Sequence, residues 1–188
     1  MYEAIVMGVS AGGLNALTKI TPALPKDFPI PVMIVQHRLR DADEFLAEYI
    51  NKLCDIEVKE AISREIIKPE CVYIAPPGYH LQVERDKTFS LTVDQPVSFA
   101  IPSVDVLFES AATAYKDKLA GVILTGANSD GSQGLKTIKE YGGLAIAQDP
   151  KTAETDYMPR AAIDTVDVDH IIPLDEIGDF LKKINKAL

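Results

Sequence analysis

A serine set among glycines, Gly8-Val9-Ser10-Ala11-Gly12-Gly13, follows directly on the apolar run Ala4-Ile5-Val6-Met7, and a helical apolar pattern begins at once. The glycines allow a sharp strand-to-helix turn and a close backbone approach to a ligand. Ser10 Oγ would then stand clear of the sheet at the positive end of the next helix. Two chemistries use that arrangement: phosphate binding and nucleophilic catalysis. A dinucleotide fingerprint reads G-x-G-x-x-G and ends its second strand on an acidic residue. Here Ser10 takes the place of the second glycine, the second strand ends in Gln36-His37-Arg38, and no phosphate-loop lysine follows. A nucleotide cofactor is not expected.

The other strand ends favour the nucleophile. In open α/β sheets functional groups collect at the carboxyl ends of the strands. The strand Val32-Met33-Ile34-Val35 ends at Gln36-His37, and Val122-Ile123-Leu124 runs into Thr125-Gly126-Ala127-Asn128-Ser129-Asp130-Gly131. A serine, a histidine and an aspartate thus emerge at one edge. Serine needs an imidazole to take its proton, and the imidazole needs a carboxylate to fix its tautomer. Ala11 N–H, at the start of the helix, is the natural oxyanion donor. Gly8-Val9-Ser10-Ala11-Gly12 also fits the nucleophile-elbow pattern G-x-S-x-G. The order Ser, His, Asp differs from the Ser, Asp/Glu, His of α/β-hydrolases, so that fold is not implied. Each residue taken singly has a structural reading as well: Ser10 as a turn residue, His37 as a polar strand end, Asp130 as the N-cap of the helix after it. Their joint placement at three turns of one edge is what favours catalysis. His80, after Pro76-Pro77-Gly78-Tyr79, is expected to orient that loop or touch the site. His170, in an apolar strand, reads as structural.

Positioning these residues requires a parallel sheet. Strand patterns at Glu3–Met7, Val32–Gln36, Ile56–Lys59, Cys71–Ala75, Leu119–Leu124, Leu144–Ala147 and Asp169–Ile172 alternate with helical ones. The helical patterns cover Gly12–Ile20, Asp43–Leu53, Ser103–Ala114, Gly131–Tyr141, Met158–Ile163 and Leu174–Asn185, with Asp43 and Ser103 as N-caps. His80–Glu84 and Phe89–Val93 alternate as a hairpin. The expected fold is α/β: three layers, a doubly wound and mostly parallel sheet, and an antiparallel β-hairpin at one edge. With no internal repeat or linker, the 188 residues read as one domain. A formal charge of −9 argues against a nucleic-acid partner. No apolar run approaches a membrane span, and Met-Tyr-Glu leads straight into a strand rather than into a signal-peptide pattern. Cys54 and Cys71 show no ligand-like grouping, and two reduced thiols suit the cytoplasm.

These residues carry a resemblance over nearly the whole chain. Gly8-Val9-Ser10-Ala11-Gly12-Gly13, Gln36-His37, Tyr73-Ile74-Ala75-Pro76-Pro77-Gly78-Tyr79-His80, Pro102-Ser103-Val104-Asp105-Val106-Leu107-Phe108, Gly121-Val122-Ile123-Leu124-Thr125-Gly126, Asp130-Gly131, and Ala147-Gln148-Asp149 with Met158-Pro159 stand in order at the spacing of one family. The chain is similar to the catalytic domain of the chemotaxis protein-glutamate methylesterases. The resemblance implies Ser10 as nucleophile, His37 as general base and acid, and Asp130 as orienting carboxylate. It implies hydrolysis of glutamyl γ-methyl esters on the cytoplasmic helices of a chemoreceptor or receptor-like protein. Methanol is released, glutamine deamidation is a further activity of some members, and neither cofactor nor metal takes part. Ala11 and Gly12, with the Gly126-Ala127-Asn128 turn, are the expected oxyanion and substrate contacts. The family's usual Thr-Gly-Met-Gly-x-Asp-Gly reads Thr125-Gly126-Ala127-Asn128-Ser129-Asp130-Gly131 here, and its Met-Pro-Pro after the histidine reads Arg38-Leu39-Arg40. These departures bear on substrate recognition. The family's receiver domain has no counterpart in residues 1–188, so a stand-alone catalytic domain is expected, with a receiver domain in trans as a further partner. Two other readings stay open: a catalytically weakened binding module of the same fold, and a Ser-His-Asp esterase for another substrate.

Overall fold

The computed structural model describes residues 1–38, 45–97 and 100–185. Its centre is a seven-stranded parallel sheet in the order β3-β4-β2-β1-β7-β8-β9. The strands are β1 (Ala4–Val9), β2 (Val32–Gln36), β3 (Glu57–Glu60), β4 (Cys71–Ile74), β7 (Leu119–Ile123), β8 (Leu144–Gln148) and β9 (His170–Ile172). The hairpin of β5 (His80–Val83) and β6 (Phe89–Thr92) is antiparallel as expected, and it forms its own two-stranded sheet. All seven predicted strands and the hairpin form, with ends shifted by up to two residues.

Among the described residues six α-helices cover the sheet: α1 (Gly13–Ile20), α2 (Phe45–Asn51), α3 (Val104–Tyr115), α4 (Ser132–Glu140), α5 (Tyr157–Thr165) and α6 (Leu174–Lys183). Helices on both faces explain why β1, β2 and β7 are apolar at nearly every position instead of alternating with polar residues. The alternation survives as a division between two cores. Ala4 and Val6 of β1 pack with Leu107, Phe108, Leu135 and Met158 beneath α3, α4 and α5. Ile5, Met7 and Val9 pack with Leu17, Ile50 and Leu181 beneath α1, α2 and α6. The predicted Asp43 cap lies outside the described residues, as do Leu39 and Arg40.

The chain winds from β1 to β2 on one side and later returns to β7 on the other. This reversal opens a crevice at the carboxyl ends of β1, β2 and β7. Close packing fixes what overhangs it. A Cβ on Gly8 would penetrate Val104 and lie 3.2 Å from Ile123 Cδ1, so glycine lets the first turn of α3 settle against β1. A side chain there would overpack the contact, at about 1–3 kcal/mol, and would push the α3 N-terminus away from the crevice.

Candidate active site

Strand register puts Ser10 beside His37. β1 and β2 pair through Val9 and Gln36 at their last step, so the next residue of each leaves the sheet side by side. His37 N–H donates to Val9 O at 3.1 Å. The buried Gln36 amide ties the two exits, Nε2 donating to Ser10 O at 3.0 Å and to His37 O at 3.1 Å. From the other side, Ser10 N–H donates to Thr125 O at 3.0 Å and Thr125 Oγ1 donates to Ala11 O at 2.8 Å. Gly12, with φ of 78°, takes the left-handed turn into α1 that a side chain would resist. Thus the Ser10 turn is held from β2 and from β7, while Ser10 itself is half-buried.

Asp130 is fully buried, and four donors converge on its carboxylate. His37 Nε2 lies 2.7 Å from Oδ2, which also accepts Val104 N–H at 2.7 Å. Oδ1 accepts Ser103 Oγ–H at 2.9 Å and Asp105 N–H at 3.0 Å. The carboxylate therefore caps the positive end of α3, where an anion is stabilised. Burial pushes its pKa up, but the bonds from His37, Val104 and Asp105 prevail and hold it below the usual range. An ionised carboxylate only accepts, so Nε2 of His37 carries a proton, and in the neutral ring the lone pair lies on Nδ1. The alternative reading of Asp130 as the cap of α4 does not hold: Gly131 occupies that N-cap, and the carboxylate is turned across to α3, where Ser103 Oγ–H, Val104 N–H and Asp105 N–H meet it.

The predicted Ser103 cap holds, its Oγ accepting Val106 N–H at 3.5 Å, and the same hydroxyl reaches Asp130. His80 stands behind it. Its Nδ1 accepts Ser103 N–H at 3.2 Å and its Nε2–H donates to Gln95 O at 3.1 Å, so it orients this loop. His170 lies exposed on β9, its ring 4.9 Å from that of Phe180.

Among the expected oxyanion contacts the backbone donors differ. Gly126 N–H donates to Thr155 O at 3.0 Å, whereas Ala11 N–H and Gly12 N–H have no partner among the described residues. Ala127 is exposed. Asn128 is turned into the site: Nδ2 lies 3.1 Å from His37 Nδ1, and Oδ1 accepts Asp130 N–H at 3.0 Å. Ser10 Oγ has no hydrogen-bond partner among the described residues. The sequence assigned no role to Gln36 or Thr125, and to Ser103 only that of a helix cap. A buried amide at a strand end and a serine at a helix cap were the signals available.

Asp105 is a second buried carboxylate here, accepting Gly134 N–H at 2.7 Å and so joining the starts of α3 and α4. Burial first, and then the charges of Asp130 and Glu109, push its pKa up from 3.8 to about 6 against the pull of Gly134 N–H. Between those values the folded protein keeps a proton that the unfolded chain loses, so this group lowers stability as pH rises through the window. Asp105→Asn lacks that slope. In urea unfolding, its stability relative to the parent is expected to improve by on the order of 1–3 kcal/mol from about pH 4 to pH 7. Parallel pH dependences would show that Asp105 does not titrate there. The amide forfeits part of the acceptor capacity, so the slope rather than the offset carries the test.

Among the described residues no helix is long and apolar enough to cross a membrane. No group of three or more His, Cys, Asp or Glu side chains gathers there as a metal site. The family model described as CheB methylesterase matches residues 5–181. A protein of Leptospira interrogans is 54% identical over 185 residues, covering 98% of this chain and 96% of its own length. A protein of Clostridium acetobutylicum named protein-glutamate methylesterase/protein-glutamine glutaminase is 39% identical over 186 residues. That match covers 99% of this chain and 54% of the relative, so the chain spans about half of that protein. The crystal structure of the Thermotoga maritima CheB methylesterase catalytic domain superposes with a TM-score of 0.93 at 36% identity, covering 98% of this chain and 99% of that one.

Proposed function

The chain belongs to the CheB methylesterase family, and on that premise we propose that Ser10, His37 and Asp130 carry out its ester hydrolysis. It is a protein-glutamate methylesterase that removes methyl groups from glutamyl γ-methyl esters of chemoreceptors. The observation that carries the residue assignment is the 2.7 Å contact of His37 Nε2 with the buried Asp130 carboxylate, on a ring that leaves the sheet beside Ser10.

The chemistry follows from the tautomer. With its proton on Nε2, His37 has Nδ1 as the base. Ser10 Oγ attacks the γ-carbonyl carbon as its proton passes to Nδ1, and Asp130 stabilises the imidazolium that forms. The carbonyl oxygen becomes an oxyanion, which accepts hydrogen bonds from the N–H groups of Ala11 and Gly12 at the start of α1, both without a partner among the described residues. Collapse expels methoxide, which takes the proton from Nδ1 and leaves as methanol. Water then attacks the glutamyl-Ser10 ester, giving its proton to Nδ1. Ser10 departs with that proton and the glutamate carboxylate is freed. A glutamine side chain would enter the same acyl-enzyme with ammonia as leaving group, in keeping with the glutaminase activity in the name of the Clostridium relative.

The natural substrate is the methylated cytoplasmic helix of a chemoreceptor, and residues 1–188 act as its catalytic domain. The protein is expected to release methanol from an isotopically methylated receptor fragment, with parallel loss of label from glutamate. Hydrolysis of small generic esters without any action on methylated receptor would replace this substrate by another.

A further inference from the structure

We propose that Asn128 is a positioning residue that caps the base nitrogen of His37 and holds the free enzyme in a resting state that substrate must open. The proposal rests on the triad reading above and extends it to a residue outside the triad.

Both nitrogens of His37 are occupied. Asp130 Oδ2 accepts a hydrogen bond from Nε2–H at 2.7 Å, and Asn128 Nδ2 lies 3.1 Å from Nδ1. The roles follow from chemistry. The ionised Asp130 cannot donate, so Nε2 carries a proton, and an amide NH₂ only donates, so Nδ1 is the acceptor and the asparagine amide the donor. The orientation of that amide is fixed independently, because Asp130 N–H donates to Asn128 Oδ1 at 3.0 Å and so turns the NH₂ group to the ring. The lone pair that Asn128 occupies is the one Ser10 needs. Ser10 Oγ correspondingly has no hydrogen-bond partner among the described residues. The cap belongs to the same short loop as the orienting carboxylate, with Asn128 bonded two residues on to Asp130. Loop and imidazole are therefore clasped at two points, and only one of them serves the chemistry.

Breaking one hydrogen bond to free Nδ1 reduces the competent fraction of enzyme by the net worth of that bond. Its removal is accordingly expected to accelerate Ser10 by about 2- to 12-fold. The test is the second-order rate of Ser10 labelling by a small fluorophosphonate, in which Oγ displaces fluoride from phosphorus as its proton passes to Nδ1. Asn128→Ala should label 2- to 12-fold faster than the parent at neutral pH. Equal or slower labelling would overturn the cap, slower labelling assigning Asn128 to the working machinery.

Asn128→Asp supplies a readout that loop packing alone would not move. It keeps an acceptor for Asp130 N–H but sets a carboxylate against Nδ1, favouring a ring protonated on both nitrogens. Labelling should fall at neutral pH and recover as pH is raised. A change independent of pH would overturn the proposal, even where Asn128→Ala does not fold. Failure of the underlying reading is distinct: a parent that is not labelled at Ser10 removes the triad, and the cap with it, whereas a labelled parent with unaccelerated Asn128→Ala removes the cap alone.

Discussion

Ser10→Ala is expected to lower kcat for methanol release by about 10⁴- to 10⁶-fold, leaving only what binding and the oxyanion donors contribute. The size of the loss reflects the loss of the covalent route. The fold should be indifferent. Ser10 Oγ has no hydrogen-bond partner among the described residues, so its removal orphans nothing. The backbone contacts that hold the turn, Ser10 N–H to Thr125 O and Gln36 Nε2 to Ser10 O, do not involve the side chain. Thermal unfolding should shift by no more than an ordinary surface change, about 0.5 kcal/mol. Activity lost with an unchanged melting transition is the signature. Near-parental demethylation by Ser10→Ala would take the serine out of the mechanism.

Asp130→Asn should lose about 10⁴-fold in kcat, and here it should also lose stability. Both carboxylate oxygens accept a backbone N–H, Oδ2 from Val104 and Oδ1 from Asp105. Whichever way an asparagine is turned, its NH₂ meets one of those donors and leaves it buried without a partner, a cost of about 1–3 kcal/mol. The two orientations also differ for His37. Facing it with NH₂ demands a lone pair on Nε2 and drives the proton to Nδ1, which then cannot act as base. Facing it with oxygen keeps the tautomer but withdraws the negative charge that stabilises the imidazolium. Paired measurements of kcat and urea unfolding test this, with both expected to fall. A variant as stable as the parent would mean that the four-donor cradle does not hold the carboxylate, and one as active would remove Asp130 from catalysis.

Much of this site was legible in the chain. Apolar runs ending in Ser10, Gln36-His37 and Thr125-Gly126 marked three strand ends, and strands of a parallel sheet present those ends at one edge. The elbow pattern around Ser10 was ambiguous between phosphate and nucleophile, and the histidine where an acid was required resolved it. What escaped was everything brought in from outside the three turns. Ser103 was legible as a helix cap because capping is local, within three residues of Val106. That its hydroxyl and the next two N–H groups serve Asp130, 25 to 27 residues onward, depends on how α3 lies across β1. The structural alternative for Asp130, a cap on its own helix, came from the same locality: proximity along the chain suggested α4, and packing chose α3.

The sequence by itself determined the sheet, its two covered faces and the three groups proposed to react, because periodicity and strand-end chemistry are written in consecutive residues. Only the tertiary structure decided which nitrogen of His37 meets Asp130, what holds Asp130 ionised, and that Asn128 meets the other ring nitrogen. Those are properties of donors and acceptors meeting across helices and loops. Their distances follow from close packing, such as that of Val104 on Gly8, which no local pattern encodes.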